Sequence, residues 1–368
     1  MRSEEGLHSP LQNFLQNFQF LQKLPRATYF RIGSFFVALL FIGAVILLSS
    51  GSPPRVAMGM WNGAFGSSDR FARVISTLCP LLLASCGLIF TFTTGLYNLG
   101  IEGQITAGAI TSTFLLRLIP EGFPPAIAII LAIISGIVGG GLWGLLTGFL
   151  NIFGKVSEIF AGLGMNFTAQ GLALYLVFGP WKRSGVASMS GTEPFSDALS
   201  LPTVGNTEFS PIALAIAIIA LIITAITIRA TYYGLKLKAV GNNLRAAYVL
   251  GIPAITQMLS SFLICGALAG IAGSLQVVAV FHRLIPNISS NLGFLALLVV
   301  MLINYNPFWI LPIAFLFSSL NVGSLELPLS LSLDSSLSGI IQGALLLFAI
   351  LGEGLAKLSK QTGSSQTN

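Results

Sequence analysis

PPAIAIILAIISGIVGGGLWGLLTGFL, residues 124–150, runs without one charged side chain and without the apolar-polar alternation of a strand. About 20 apolar residues in helical form cross the roughly 30 Å of hydrocarbon in a bilayer, and this stretch exceeds that length. In lipid every backbone N–H and C=O must be satisfied within the protein, so a spanning segment is either a helix or a strand of a closed barrel. A long run with no period of two selects the helix. Gly136, Gly140, Gly144 and Gly148 then fall four apart, the spacing that lets helices approach closely. Gly266 and Gly270 repeat it later in the chain.

The rest of the composition agrees. Hydrophobic residues make up 54% and charged residues 8%, against roughly a quarter charged in a soluble domain. The expected fold is an all-α, polytopic transmembrane helical bundle of about ten spans. They fall near 33–50, 75–94, 104–119, 124–150, 158–179, 211–229, 255–281, 289–304, 308–324 and 335–356. The third and eighth are short and interrupted by Gly or polar residues, the pattern of discontinuous or re-entrant helices.

Ten spans put both ends of the chain on one side. With that side cytoplasmic, the inner connections hold eleven Lys and Arg and the outer ones seven of the total 18, the direction that the positive-inside rule favours. The expected organisation is an amphipathic cytoplasmic segment at 1–31, a transmembrane domain at 32–356 and a polar cytoplasmic tail at 357–368. In the first of these, LQNFLQNFQFLQKL sets Leu11, Phe14, Leu15, Phe18 and Leu21 on one helical face. It reads as a helix on the membrane surface, with docking on a partner as the competing reading. The first apolar run begins only near Ile32, with no clear cleavage pattern after it, and reads as a retained span rather than a secretory signal.

Several function classes are excluded. The basic residues are scattered and form no stripe for nucleic acid. Cys79, Cys86 and Cys265 lie in apolar runs, and two turns, about 10 Å, separate the first pair, too far for a disulfide. Two distant histidines, His8 and His282, make no metal site. Gly154-Lys155 is followed by Val156 and has Phe149 where a phosphate loop needs Gly, so the chain carries no ATPase site of its own. The GxGxxG formed by Gly139, Gly141 and Gly144 lies inside an apolar run with no strand before it and reads as helix packing. No paired catalytic residues appear in the spans, and the sequence reads as a non-enzyme. Intramembrane acids, the mark of ion-coupled carriers, reduce to Glu102, Glu158 and Glu353 near span ends. The work of transport therefore comes from a partner.

Between the second and third spans, GLYNLGIEGQITAGA (95–109) crowds glycines and amides where an apolar helix should close. Such a break lets polar groups line a cavity at membrane depth, and the competing reading is a tight turn. NLGIEGQ resembles the matching segment in permease subunits of ABC importers that work with basic-membrane-protein-type nucleoside receptors. The wider family includes simple-sugar and branched-chain amino-acid permeases. VSEIFAGLGMNFTAQGLALYLVFGPW (156–181) is similar to a second family segment through Glu158, Met165, Asn166, Gly179, Pro180 and Trp181. YYGLKLKAVGNNLRAAYVLGIP (232–253) resembles the cytoplasmic coupling segment, through Gly234, Lys236, Lys238, Gly241, Asn242, Ala246, Ala247, Gly251 and Ile252. With LSGIIQGALLLF around Gln342, the likeness covers most of 75–356. It departs after Gly293-Phe294, where Leu295 and Ala296 replace a small or acidic residue and a Gly, and again where Ile303 and Asn304 precede Tyr305.

The resemblance implies a permease of the plasma (inner) membrane that carries nucleosides or similar small polar solutes by alternating access. Its implied partners are separate ATPase subunits that bind ATP and Mg, a second permease, preferably a homologue, and an extracytoplasmic solute-binding protein. The candidate translocation path is Asn98, Glu102, Gln104, Asn166 and Gln170, and simple helix-to-helix bonding is the rival role for each. The candidate coupling surface is Gly234, Lys236, Gly241, Asn242, Arg245, Ala246, Ala247 and Gly251, within a loop at about 230–254. Asn242 or Asn243 should cap a short helix there, Gly251 should end it and Pro253 should block its continuation. The outer loop is 180–210. An ion-gradient-driven carrier is the alternative function.

Overall fold

The computed structural model describes residues 26–364 apart from 50, 121, 184, 186–190, 206, 304, 332, 334 and 335. The amphipathic segment expected at 11–24 and the last four residues lie outside them. The described residues are helical with connecting turns and carry no strand beyond one isolated bridge, Lys182 to Thr192. In chain order the helices are α1 Arg26–Leu48, α2 Pro53–Phe65, α3 Ser68–Thr93, α4 Ile101–Leu118, α5 Pro125–Ile152, α6 Glu158–Phe178 and α7 Pro211–Ala230. There follow α8 Tyr232–Asn242, α9 Leu244–Val249, α10 Ala254–Leu275, α11 Leu292–Leu302, α12 Ile310–Ser324, α13 Leu327–Leu331 and α14 Leu337–Ser364. A π-helical turn, Gln276–Phe281, prolongs α10.

Each of the ten apolar runs is helical, but they are not ten equal spans. Among the described residues six helices are long and apolar enough to cross a membrane: α3, α5, α6, α7, α10 with its π turn, and the stretch from Pro307 to Leu331. The number rises to seven if α1 and α2 form one broken span. The two runs that the sequence marks as interrupted account for much of the difference. α4 opens on Glu102 and Gln104 and carries Thr and Ser along its length, and α11 has 11 residues, about 16 Å at 1.5 Å per residue. α14 continues to Ser364, into the expected polar tail.

Two compact units divide the chain. In residues 1–56 with 336–368, α1 and α14 pack together through Phe41 and Phe348, with ring centroids 5.6 Å apart, and through Gly352 against Ser34. The second unit, 57–335, holds the site. Its axis is α3, in which every residue from Leu78 to Phe92 is buried, as expected of a helix that is apolar all round. α5 and α10 lie against each other backbone to backbone. A Cβ on Gly266 or Gly270 would overlap the carbonyl oxygen of Gly140 or Gly136, and one on Gly144 that of Phe262. The two glycine ladders legible in the sequence are therefore the two halves of one seam. Gly108 of α4 joins it at Gly270, and the hydroxyls of Ser112 and Ser274 bond across it at 2.7 Å. Gly139 and Gly144 of the GxGxxG pattern meet Thr111 and Phe262 there, which is packing. By contrast α7 leaves Ile219, Ile222, Ile223 and Ile226 more than half exposed, a face suited to lipid.

Candidate functional site

The break between α3 and α4 is built by three local events. α3 stops at Thr93, Gly95 takes a left-handed φ of 79° that a side chain would resist, and α4 restarts at Ile101. The amides of the interval close on one another. Asn98 Nδ2 donates to Gln104 Oε1 at 3.1 Å, Gln104 Nε2 donates back to Asn98 Oδ1 at 3.2 Å, and Asn98 Oδ1 also accepts from Gly100 N. Asn98 Nδ2 reaches Cys265 Sγ of α10 as well, at 3.1 Å. Asn166 of α6 bridges the start of α4: its Nδ2 donates to Leu99 O and its Oδ1 accepts from Gly103 N, both at 2.7 Å. Gly103 and Gly162 permit this, because a Cβ on either would press on the facing backbone.

Glu102 points the other way, to the N-terminus of α11. Its Oε2 accepts from Gly293 N at 2.6 Å, and the backbone of Asn291 and Phe294 also faces the carboxyl. The first N–H groups of a helix have no partner within it, and this acid supplies one from a different helix. The Ser289 hydroxyl also faces this carboxyl, and both it and Glu102 Oε1 are buried.

Asn98, Gln104 and Asn166 are thus buried together around the start of α4, and Glu102, also buried, turns from them to α11. Gln170 stands apart from them. One turn beyond Asn166 and half-buried, it donates to Pro286 O at 2.8 Å and holds the connection before α11. Two contributors were missed. Glu158, the first residue of α6, accepts the N–H of Tyr97 at 2.5 Å, and Gly293 closes the Glu102 contact. Both belong to segments quoted for the family resemblance, and only the fold reveals that they meet the break.

The expected coupling segment is α8, α9 and the turn after them. Thr231 caps α8 through Gly234 N, and Lys236 lies over the Tyr232 ring at 5.4 Å. Asn242 is the last residue of α8, and Asn243 is the N-cap of α9, its side chain accepting from Ala246 N at 3.0 Å. Gly251, with φ 74°, reverses the chain after α9, and α10 begins after Pro253. Arg245 and Ala246 are exposed, with Leu244, Tyr248, Val249 and Leu250 around them. Ala247 differs from expectation. It is 1% exposed and packs on Val240 and Ala254, so it faces its own chain and not a partner.

These two regions touch. A Cβ on Gly241 would overlap Thr93 O and lie 3.1 Å from the carbonyl carbon of Thr94, so the end of α8 rests on the elbow where α3 opens into the polar break.

Part of the loop expected at 180–210 is laid along the end of the π turn. Thr192 N donates to Leu284 O, Phe195 N to His282 O, and Leu201 N to Val278 O, at 2.8–2.9 Å. The Ser200 hydroxyl lies 2.9 Å from His282 Nδ1. Burial lowers the His282 pKa below its usual value, and the carboxylates of Asp197 and Glu208 oppose that without reversing it. Among the described residues no group of three potential metal ligands gathers.

Comparison with known proteins follows the same lines. The profile of one family, described as branched-chain amino acid transport system / permease component, matches residues 70–350. The guanosine ABC transporter permease protein NupP of Bacillus subtilis is 29% identical over 83% of this chain and 88% of its own. The glucose ABC transporter permease protein TsgB13 of Haloferax volcanii is 28% identical, over 86% of each. The nucleoside ABC transporter permease protein NupB of Lactococcus lactis is 28% identical over 78% of this chain and 82% of its own. Each of these three organisms contributes a second, more distant match that carries the same kind of permease name.

Proposed function

The chain belongs to the family of branched-chain amino acid transport system permease components, and we propose that it is the membrane-spanning subunit of an ATP-binding-cassette importer for nucleosides or similar small polar solutes. It works by alternating access between two conformations, and separate ATPase subunits that hold ATP and Mg supply the energy. On this reading the permease sits in the plasma (inner) membrane with both termini in the cytoplasm, and α1, α4, α11 and α14 join the six long helices to make about ten spans. An extracytoplasmic solute-binding protein delivers the solute, and a second, homologous permease completes the path. The paired matches from single organisms support a heterodimer over a homodimer.

The observation that carries the proposal is the contact between Gly241 and Thr93. On this reading a partly exposed helix pair outside the membrane bears directly on the buried polar break between α3 and α4, so a push on the first alters the second without passing through a long lever. The path is assigned to Asn98, Glu102, Gln104, Asn166 and Gln170. Amides that exchange bonds with one another can exchange them with a polar solute at little net cost, since each new hydrogen bond replaces an old one. The coupling surface is assigned to Gly234, Lys236, Gly241, Asn242, Arg245, Ala246, Ala247 and Gly251. Within it the exposed members and their apolar neighbours meet the ATPase, while Ala247 and Gly241 hold the segment in place.

Reconstitution tests the proposal. The complex co-purified with its ATPase and second permease, placed in liposomes with its binding protein, should take up radiolabelled guanosine or glucose only with ATP inside. Uptake that ignores ATP and follows an imposed proton or sodium gradient would overturn it in favour of the ion-driven alternative. Nucleosides are preferred over sugars on the NLGIEGQ segment.

A further inference from the structure

α7 ends on a cation that no carboxylate answers. Arg229, the basic residue of its last turn, is exposed, and among the described residues its side chain meets Asn306 and Phe308 but no acid. Nη2 donates to Asn306 Oδ1 at 2.7 Å, and the guanidinium carbon stands 4.1 Å from the centroid of the Phe308 ring. Arg70 and Arg73, by contrast, have carboxylates at 2.9 and 3.2 Å. The turn that receives Arg229 is fixed by its own backbone. Tyr305 is left-handed with φ 62°, Asn306 N donates to Ile303 O, and Trp309 N donates to Asn306 O. Asn306 Oδ1 also accepts from Phe308 N at 3.3 Å, so one amide oxygen sets both the ring and the guanidinium. Held at one nitrogen and one face, the guanidinium keeps Nε and Nη1 for an acceptor from outside, and neither has a partner among the described residues.

The surroundings select the acceptor. Ile222, Ile226 and Arg229 follow one another at spacings of four and three, so the cation stands at the end of the exposed isoleucine face of α7. Phe308 and Trp309 in the turn, and Tyr232 three residues after Arg229, are 65, 58 and 77% exposed. Aromatic rings and a long basic side chain at the end of an apolar span match the boundary between hydrocarbon and headgroups. We propose that Arg229, Asn306 and Phe308 form a docking site for the headgroup phosphate of an anionic phospholipid, whose acyl chain lies along the isoleucine face of α7. A planar guanidinium gives phosphate charge-assisted hydrogen bonds, and basic groups beside a span attract anionic lipid. Soluble phosphate would satisfy the guanidinium and leave the apolar face beneath it without a role. The site stands at the joint where the coupling segment begins. Two residues after Arg229, Thr231 caps α8 through Gly234 N, and a Cβ on Gly234 would overlap Thr227 O. The inference needs only that the chain lies in a membrane and is independent of the solute carried.

Photolabelling tests the site. Analogues of phosphatidylglycerol and phosphatidylcholine that carry the same photoactivatable acyl chain are placed in liposomes holding the assembled complex, and peptide mass spectrometry reads the labelling of 219–232 and 305–310. In the unaltered complex phosphatidylglycerol should label these segments about fivefold more than phosphatidylcholine at equal content. Arg229→Gln should bring that ratio close to one and leave the labelling of α5 unchanged. Asn306→Ala, which keeps the charge and frees the guanidinium, should lower the ratio roughly twofold or more. Arg229 is exposed and Asn306 half-buried, and unchanged labelling of α5 shows that each variant has assembled. Equal labelling by the two lipids, or a parental ratio in Arg229→Gln, would overturn the site. Displacement of the phosphatidylglycerol label by millimolar inorganic phosphate would overturn the lipid and give the arginine to a soluble anion, whereas labelling that persists supports the lipid.

Discussion

Gly293 has room for a hydrogen and nothing larger. A Cβ there would overlap Glu102 Oε2 and stand 2.9 Å from Glu102 Cα, so a methyl must push the start of α11 away from α4. Overpacking of this kind commonly costs 1–3 kcal/mol. Gly293→Ala should therefore lower the melting midpoint of the purified complex by several degrees, and an unchanged midpoint would mean that the Glu102 contact is dispensable. At this scale the sequence was half legible. Asn98, Glu102 and Gln104 could be grouped because they sit within seven residues of one another. Gly293 could not be joined to them, since it arrives from 191 positions away and its role is set by the residue it faces. The same limit hid Glu158, an acid whose use is to hold Tyr97 N from another helix.

The elements divide into those whose signals are local and those whose surroundings decide. The left-handed Gly251 and the short helix before it follow from short-range backbone chemistry and were readable, and the N-cap was narrowed to Asn242 or Asn243, of which Asn243 takes the place. Which face of α9 is outward was not. α8 and α10 turn back on Ala247, which moves the free surface to Tyr248, Val249 and Leu250. Val249, 84% exposed, is thus the position to probe. Val249→Asp should change the stability of the chain by less than about half a kcal/mol, yet reduce co-purification of the ATPase at least tenfold. Wild-type recovery would remove α9 from the coupling surface. The strap formed by residues 192–201 is also testable. A histidine whose folded pKa lies below its unfolded value of about 6.5 binds fewer protons folded than unfolded near that pH. Its contribution is then fully present above the unfolded pKa and is lost as pH falls through the window between that value and the lowered folded one. Amide exchange at 192–201 should accelerate as pH drops from 7.5 to 5.5, after correction for intrinsic exchange, and His282→Gln should flatten the change. A strap equally protected at both values would show that His282 does not hold it.

For the molecule as a whole, composition and run length were enough to identify a polytopic helical bundle, because a bilayer imposes the same demand on every spanning segment. The number of full spans was not settled in the same way. A run such as Ile101–Leu118 is helical and largely buried although it is too polar to pass as a span, and α11 is too short. Hydropathy measures affinity for lipid, and both helices are covered mainly by protein. One consequence concerns the making of the protein rather than its working. The seam between α5 and α10 joins Gly136 and Gly140 to Gly266 and Gly270 with backbone against backbone, but α5 ends at Ile152 and α10 begins at Ala254. A ribosome adding 5–20 residues per second needs roughly 5–20 s to cover that interval. During that time α5 waits in the bilayer with its glycine face against lipid tails, which cannot enter the groove as a second helix does. A nascent chain arrested before Ala254 accordingly leaves its most closely packed surface open, and cellular proteases and insertion chaperones would meet it in that state.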